Sequence, residues 1–314
     1  MVYCTRAENQ APQNAAICEE PMADKKGILA VSFGTSYERA RKEAIDAVEE
    51  QWRSVFPDCE LRRAFTSPRI IRRLAAQGLS VPDVTQALKH MKAEGFTHVW
   101  VQPTLLIPGE EYDRLCEAVK PFACDFALLK VGEPLLCQEE DCDNTVRIVM
   151  KKYPVRSGEA CILMGHGTAH DAGHIYQRIR RKMEEQSEGR YSLATVEGDP
   201  GIEEVAEKLP GDVRKVTLVP FMLVAGDHAM NDMAGEEPGS FRSVLEAKGY
   251  EVECVIRGMG AYPEIRALYD AKLRKNLGEE TYSVICTASA SIIKRLRLRS
   301  GAGSLFRRRS KDSF

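Results

Sequence analysis

Residues 215–228 read KVTLVPFMLVAGDH, a β-branched and apolar run that ends at a glycine and turns polar. Residues 98–111 repeat the plan as HVWVQPTLLIPGEE, with proline, apolar run, glycine and charged pair in the same places. Runs of this kind, bounded by turn residues, predict strands buried on both faces. Working outward from 98–106 and 215–224, further strands are predicted at 28–33, 59–66 and 126–131, and at 160–165, 191–197 and 251–256. Helical stretches follow each strand, near 170–186, 201–208, 239–248 and 263–276 in the second set. Strand–helix alternation requires crossover connections, hence an α/β fold with a doubly wound, mostly parallel sheet. The first strands of the two sets also end alike, in SFGTS at 32–36 and GHGTA at 165–169. Two matches in the same order predict a duplication: an N-terminal half at 26–150 and a C-terminal half at 151–278. Overlaying the halves sets Phe33 against His166, Thr66 against Glu197 and Glu111 against His228.

Composition narrows the function classes. The chain has 314 residues, 44% hydrophobic and 29% charged, enough for one large or two moderate domains and too apolar for a disordered chain. Its 10 cysteines show no CxxC and no finger spacing, so they read as reduced thiols of a cytoplasmic protein. No apolar run approaches the roughly 20 residues of a membrane helix, and residues 1–25 lack the apolar core of a signal peptide. Those residues are expected to be a polar, disordered extension, with Met22 a natural start. Residues 279–314 are expected to be a basic tail. Within it, 291–314 carry +7, so the net charge of −2 hides a body of −9. Short unpatterned basic ends are mostly solvated, and neither a nucleic acid nor a membrane is expected as partner.

In an open parallel sheet, ligands bind beyond the carboxyl ends of the strands. His166, Glu197 and His228 all fall there, after three different strands of the second half. Two imidazoles and a carboxylate suit a first-row divalent metal and leave coordination positions open for chemistry. Each also has a plainer reading: a packed histidine at 166 or 228, a helix cap at 197. His170 and His174 have i, i+4 spacing and could pair on a helix, although a polar helix start with His170 behind the site fits them better. His90 and His98 read as structural. The glycine turns match neither GxGxxG nor GxxxxGK[ST], so a nucleotide site has little support. Ser67-Pro68 predicts an N-cap followed by proline at the first helical position, which puts Arg69, Arg72 and Arg73 on one helix face. With Arg62 and Arg63 they form either a solvated surface or a cationic patch suited to a polycarboxylate.

The sequence resembles the class II tetrapyrrole chelatases, and within them the anaerobic cobalt chelatases of cobalamin biosynthesis. The resemblance runs from about Lys26 to Leu277. It rests on VSFGTSYERA at 31–40, RAFTSPRIIRRL at 63–74, GEEYDRL at 109–115, MGHGTAHDA at 164–172, VEGDP at 196–200 and PFMLVAGDHAMNDMAGE at 220–236. It implies two flavodoxin-like halves with a cleft between them, the class II chelatase fold. It also implies ATP-independent insertion of Co²⁺ into sirohydrochlorin, with no prosthetic group and with Co²⁺ as substrate metal. Carried over by motif, His166, Glu197 and His228 bind the metal, His166 and Glu197 are the catalytic pair, and His166 accepts protons. Ser36, Arg69 and Glu111, one from each first-half motif, are the expected substrate-binding residues. Some members carry a histidine in the strand leading to GEEY, where this chain reads Pro103-Thr104-Leu105-Leu106. The alternatives are iron or nickel insertion into sirohydrochlorin or a porphyrin, and a non-catalytic metal or tetrapyrrole carrier. A homo-oligomer is an allowed state.

Overall fold

The computed structural model describes residues 24–278, all within one compact unit. The expected N-terminal extension up to residue 23 and the basic tail from 279 lie outside the described residues. Eight strands form two four-stranded parallel sheets. The first contains β1 (Lys26–Ser32), β2 (Glu60–Phe65), β3 (His98–Pro103) and β4 (Leu128–Val131), in the order β2-β1-β3-β4. The second contains β5 (Glu159–Gly167), β6 (Tyr191–Glu197), β7 (Lys215–Pro220) and β8 (Glu251–Cys254), in the equivalent order β6-β5-β7-β8. Two flavodoxin-like lobes with identical strand order are what a duplicated, doubly wound α/β chain should give. The central strands are apolar on both faces because helices cover both. Ile28, Leu29, Ala30 and Val31 are completely buried, as are Cys161, Ile162, Leu163 and Met164.

In the first lobe, α1 (Glu38–Ala40) runs through a π-helical turn, Arg41–Asp46, into α2 (Ala47–Val55). It is followed by α3 (Pro68–Ala76), α4 (Val84–Ala93), α5 (Glu110–Val119) and α6 (Glu139–Lys152). The α3 start is as the sequence predicts: Pro68 occupies the first turn and the Ser67 side chain accepts from the Ile70 amide at 3.3 Å. The second lobe carries α7 (His174–Ser187), α8 (Ile202–Glu207), α9 (Phe241–Ala247) and α10 (Pro263–Leu277).

The last helix of each lobe packs across the boundary. α6 lies against α7, and α10 lies against α2, α6 and β3. From α10, the fully buried Tyr269 donates its hydroxyl to the Thr104 carbonyl at 2.8 Å, and Asn276 donates to the Val101 carbonyl at 3.3 Å. Lys272, 7% exposed, meets Asp141 at 2.6 Å. A single apolar core therefore runs from Ile28, Phe65 and Leu135 in the first lobe to Leu163, Phe221 and Tyr269 in the second, with a smaller core on the outer face of each sheet. Each fully buried large side chain contributes roughly 1.5–3 kcal/mol, so separating the lobes would expose the largest of the three cores.

Two strands stop earlier than their apolar runs. β3 and β7, expected to reach 106 and 224, end at Pro103 and Pro220, which have no N–H to donate to the ladder. The backbone beyond β7 finds other partners: Met222 and Leu223 carbonyls accept from the Met259 and Gly260 amides at 2.8 and 3.0 Å. The apolar residues past each proline line a cavity instead of a sheet face.

Candidate functional site

That cavity, of about 570 Å³, lies between the lobes at the carboxyl ends of β1, β2, β3, β5, β6 and β7. Its size is in the usual range for a small-molecule site. The second lobe brings His166 at the end of β5, Glu197 at the end of β6 and His228 just beyond the β7 run to the same cavity. The His166 and His228 rings stand edge to face, with centroids 4.7 Å apart. His166 Nδ1 lies 3.0 Å from the Gly167 carbonyl, and His228 Nδ1 lies 2.6 Å from Asp232 Oδ2. Both partners only accept, so each Nδ1 carries a proton, and in the neutral imidazole Nε2 is the nitrogen left to bind a ligand. A carboxylate behind an imidazole also holds the ring in place, the usual support of a metal-binding histidine.

The local chain geometry explains why these residues are presented. Gly167 pairs with Glu197 across the β5–β6 ladder, with φ at +84°, and a Cβ there would fall 1.6 Å from the Glu197 carbonyl oxygen. Only glycine lets the two strand ends approach so closely. Glu197 is exposed to the cavity beyond that point. Among the described residues, no group of three or more His, Cys, Asp or Glu is gathered closely enough to hold a metal ion. The site is thus a pair of neighbouring imidazoles with a carboxylate elsewhere on the same wall, not a closed cage.

The first lobe supplies the opposite wall. Ser36, Arg69 and Glu111 line the cavity, as does Arg73. Glu111 is engaged by Arg114 of its own helix at 2.6 Å. Arg69 and Arg73 have no acidic partner among the described residues. The wider cationic patch is narrower than the sequence implied. On the edge strand β2, alternation sends Arg62 to one face, where it meets Glu94 at 2.6 Å, and Arg63 to the other, where it meets Glu49 at 2.7 Å and Asp46. Both guanidiniums are consumed in structural pairs. Burial pushes the Glu49 carboxyl up, against the lowering pull of Arg63. Arg72 is exposed and does not line the cavity.

His170 and His174 do not form a pair on a helix face. His170 precedes a short 3₁₀ turn and caps it, its Nδ1 accepting from the Ala172 amide at 3.0 Å while Nε2 lies 3.2 Å from Asp113. His174 begins α7 with Nδ1 2.6 Å from the Asp171 carbonyl. His90 lies in the last turn of α4 and His98 opens β3, both away from the cavity.

Two features were not read from the sequence. Asp232 follows His228 by one helical turn, a spacing that could have flagged it. Tyr37 donates to Asp227 at 3.0 Å, bridging the lobes at the cavity rim, and this hydrogen bond with the Asp227 carboxylate raises the Tyr37 hydroxyl above its ordinary range. No local pattern signals a contact between residues 190 apart in sequence.

Two flavodoxin-like lobes closing on a cavity at their strand ends, with two neighbouring imidazoles on one wall, define a two-lobed α/β protein with a ligand-sized cleft. The chain belongs to the cobalt chelatase (CbiK) family, whose sequence pattern matches residues 26–277. It is 35% identical to the sirohydrochlorin cobaltochelatase of Salmonella typhimurium over 258 residues, 81% of this chain and 97% of that protein. It is also 35% identical to the sirohydrochlorin cobaltochelatase CbiKC of Nitratidesulfovibrio vulgaris over 243 residues, 76% of this chain and 86% of that one. Among solved structures, SirB from Bacillus subtilis with Fe³⁺ superposes with a TM-score of 0.56 at 17% identity, over 80% of this chain and 95% of SirB. The cobalt complex of the sirohydrochlorin chelatase SirB from the subspecies spizizenii gives 0.54 over the same shares. These likenesses establish the shared fold.

Proposed function

We propose that this protein is a metal chelatase that inserts Co²⁺ into sirohydrochlorin, in the cytoplasm and without ATP. The observation that carries the site assignment is the adjacent pair His166 and His228, each with Nδ1 engaged and Nε2 left for a ligand, on a cavity lined opposite by Arg69 and Arg73, which have no acidic partner among the described residues. Neutral imidazoles take the incoming Co²⁺, and Glu197 contributes negative charge from the same wall. Imidazole and carboxylate donors accept several first-row divalent ions, so geometry and supply decide among them. The macrocycle enters between the lobes with its carboxylates toward Arg69 and Arg73, which bind such groups bidentately.

Insertion exchanges two pyrrole N–H protons for one divalent cation. As ring nitrogens replace protein ligands, each imidazole that releases the metal becomes available to take one of the two protons and pass it to water; His166 is assigned the first, and the freed His228 can take the second. The test is an anaerobic mixture of the full chain, sirohydrochlorin and Co²⁺, followed by absorption. Many equivalents of ring converted per protein support an enzyme, and a stoichiometric spectral change would indicate a carrier. His166→Ala should nearly abolish conversion, and activity within a few-fold of the parent would overturn the assignment.

A further inference from the structure

Phe33 is the most exposed large hydrophobic side chain among the described residues, at 47%, and it lines the interlobe cavity. Its backbone is held in place. The Thr66 amide donates to the Ser32 carbonyl at 2.9 Å and the Ser67 amide donates to the Phe33 carbonyl at 3.3 Å. Gly34 follows with φ at +97°, and a Cβ there would sit 2.5 Å from the Phe65 ring, so the turn is wedged against the core. The turn that presents the phenyl group to the cavity is therefore fixed against the core. On the same lobe the cavity is lined by Leu105, Leu106 and Ile107, and its charged positions include Arg69 and Arg73.

We infer that Phe33 is the platform on which the first lobe seats the macrocycle, its phenyl ring packing on the apolar conjugated face while the guanidiniums take the peripheral carboxylates. The inference rests on the function proposed above and goes beyond it by assigning the ring-binding wall. The duplication supports the placement. Phe33 occupies, after β1, the position that His166 occupies at the end of β5, each followed by a glycine of positive φ. One lobe thus presents imidazoles at its strand end and the other a flat apolar surface, with the ligand space between them.

The experiment measures binding of metal-free sirohydrochlorin and, separately, of Co²⁺ to the full chain. Phe33→Ala should bind the ring about ten- to thirtyfold more weakly, from lost aromatic contact and apolar burial, while Co²⁺ affinity stays within twofold. Phe33→Trp should restore ring binding. Because Trp52 and Trp100 are buried, the added indole should give a fluorescence component that the bound chromophore quenches. Ring binding by a natively folded Phe33→Ala within twofold of the parent would overturn the inference, as would an indole at 33 that the ring leaves unquenched. If the parent protein itself neither binds nor metallates the ring, the functional reading falls and this assignment with it. If the parent is active and only Phe33 proves indifferent, the inference alone falls.

Discussion

Removing the Asp232 carboxylate should weaken the metal site without disturbing the fold. Asp232 Oδ2 lies 2.6 Å from His228 Nδ1, and both side chains are well exposed, at 43% and 38%. The pair contributes little to stability, since exposed ion pairs are worth about 0–1 kcal/mol. Its consequence is local: it keeps the proton on Nδ1 and aims Nε2 at the cavity beside His166. In Asp232→Ala the ring can rotate, and either nitrogen can carry the proton. Loss of such a supporting group typically costs 10–100-fold in metal affinity, or about 1.4–2.8 kcal/mol. Asp232→Asn separates two contributions, because an amide oxygen still accepts from Nδ1–H but brings no charge. The assay is Co²⁺ titration followed by its visible absorption, alongside initial rates of sirohydrochlorin metallation. The expected order of affinity is parent, then Asn, then Ala, with the thermal midpoint unchanged. An Ala variant that binds Co²⁺ as tightly as the parent would refute the argument that this carboxylate orients His228.

Arg73→Ala should raise the KM for sirohydrochlorin by about 10–100-fold, the loss of one charge-assisted contact, with kcat less affected and Co²⁺ affinity unchanged; equal KM values would remove Arg73 from the ring site. Tyr269→Phe strands the buried Thr104 carbonyl and should cost about 1–3 kcal/mol in denaturant unfolding, with activity intact below the transition. Glu133 is held below the usual carboxylate range by its hydrogen bond to Lys275 at 2.9 Å, with Lys272 adding to the effect. A depressed folded-state pKa gives stability that is complete above the unfolded value of 4.5 and is lost as pH falls through the folded one. Glu133→Gln should therefore be less stable than the parent at pH 7, by under about 1 kcal/mol because the pair is half-exposed, and the two stability curves should converge as pH falls through the depressed folded-state pKa; parallel curves would contradict this.

The strand–helix alternation and the gathering of His166 and His228 at one end of a sheet were legible because they follow from periodicity and turns. A short apolar run before a glycine turn marks a strand end, and two such ends in one parallel sheet must lie on the same side. The misread boundaries at 103–106 and 220–224 have a common cause. Apolar residues report burial but not which surface buries them, and here the cavity takes over from the sheet at a proline. Proximity in sequence groups Arg62 and Arg63 with the α3 arginines, as a solvated surface or a ligand patch, but residues on an edge strand alternate between faces and each found a carboxylate. The sequence overlay set Thr66 against Glu197. Taking Ser32 as the counterpart of Gly165, ladder pairing of Ser32 with Phe65 and of Gly165 with Thr195 moves the match one residue on, to Ser67. Ser67 lines the cavity and Thr66 does not.

Under the proposed function, the duplication explains how an acidic protein would present one wall to a cation and another to a polyanion. Each lobe offers three strand ends to the shared cavity. In the second lobe they carry His166, Glu197 and His228, and in the first Phe33, Ser67 and Glu111, the last neutralised by Arg114. Net charge plays no part in this division, because the first-lobe acids that line the cavity, Glu110 and Glu111, are both paired with Arg114, while Arg69 and Arg73 have no acidic partner among the described residues. The exchanged helices α6 and α10 then matter for chemistry as well as stability. A metal held on one lobe reaches ring nitrogens seated on the other only if the spacing between lobes is fixed, and the continuous core from Phe65 to Tyr269 fixes it. On the proposed sites, the same sheet, used twice with different residues at its strand ends, would hold both substrates of a metal insertion face to face.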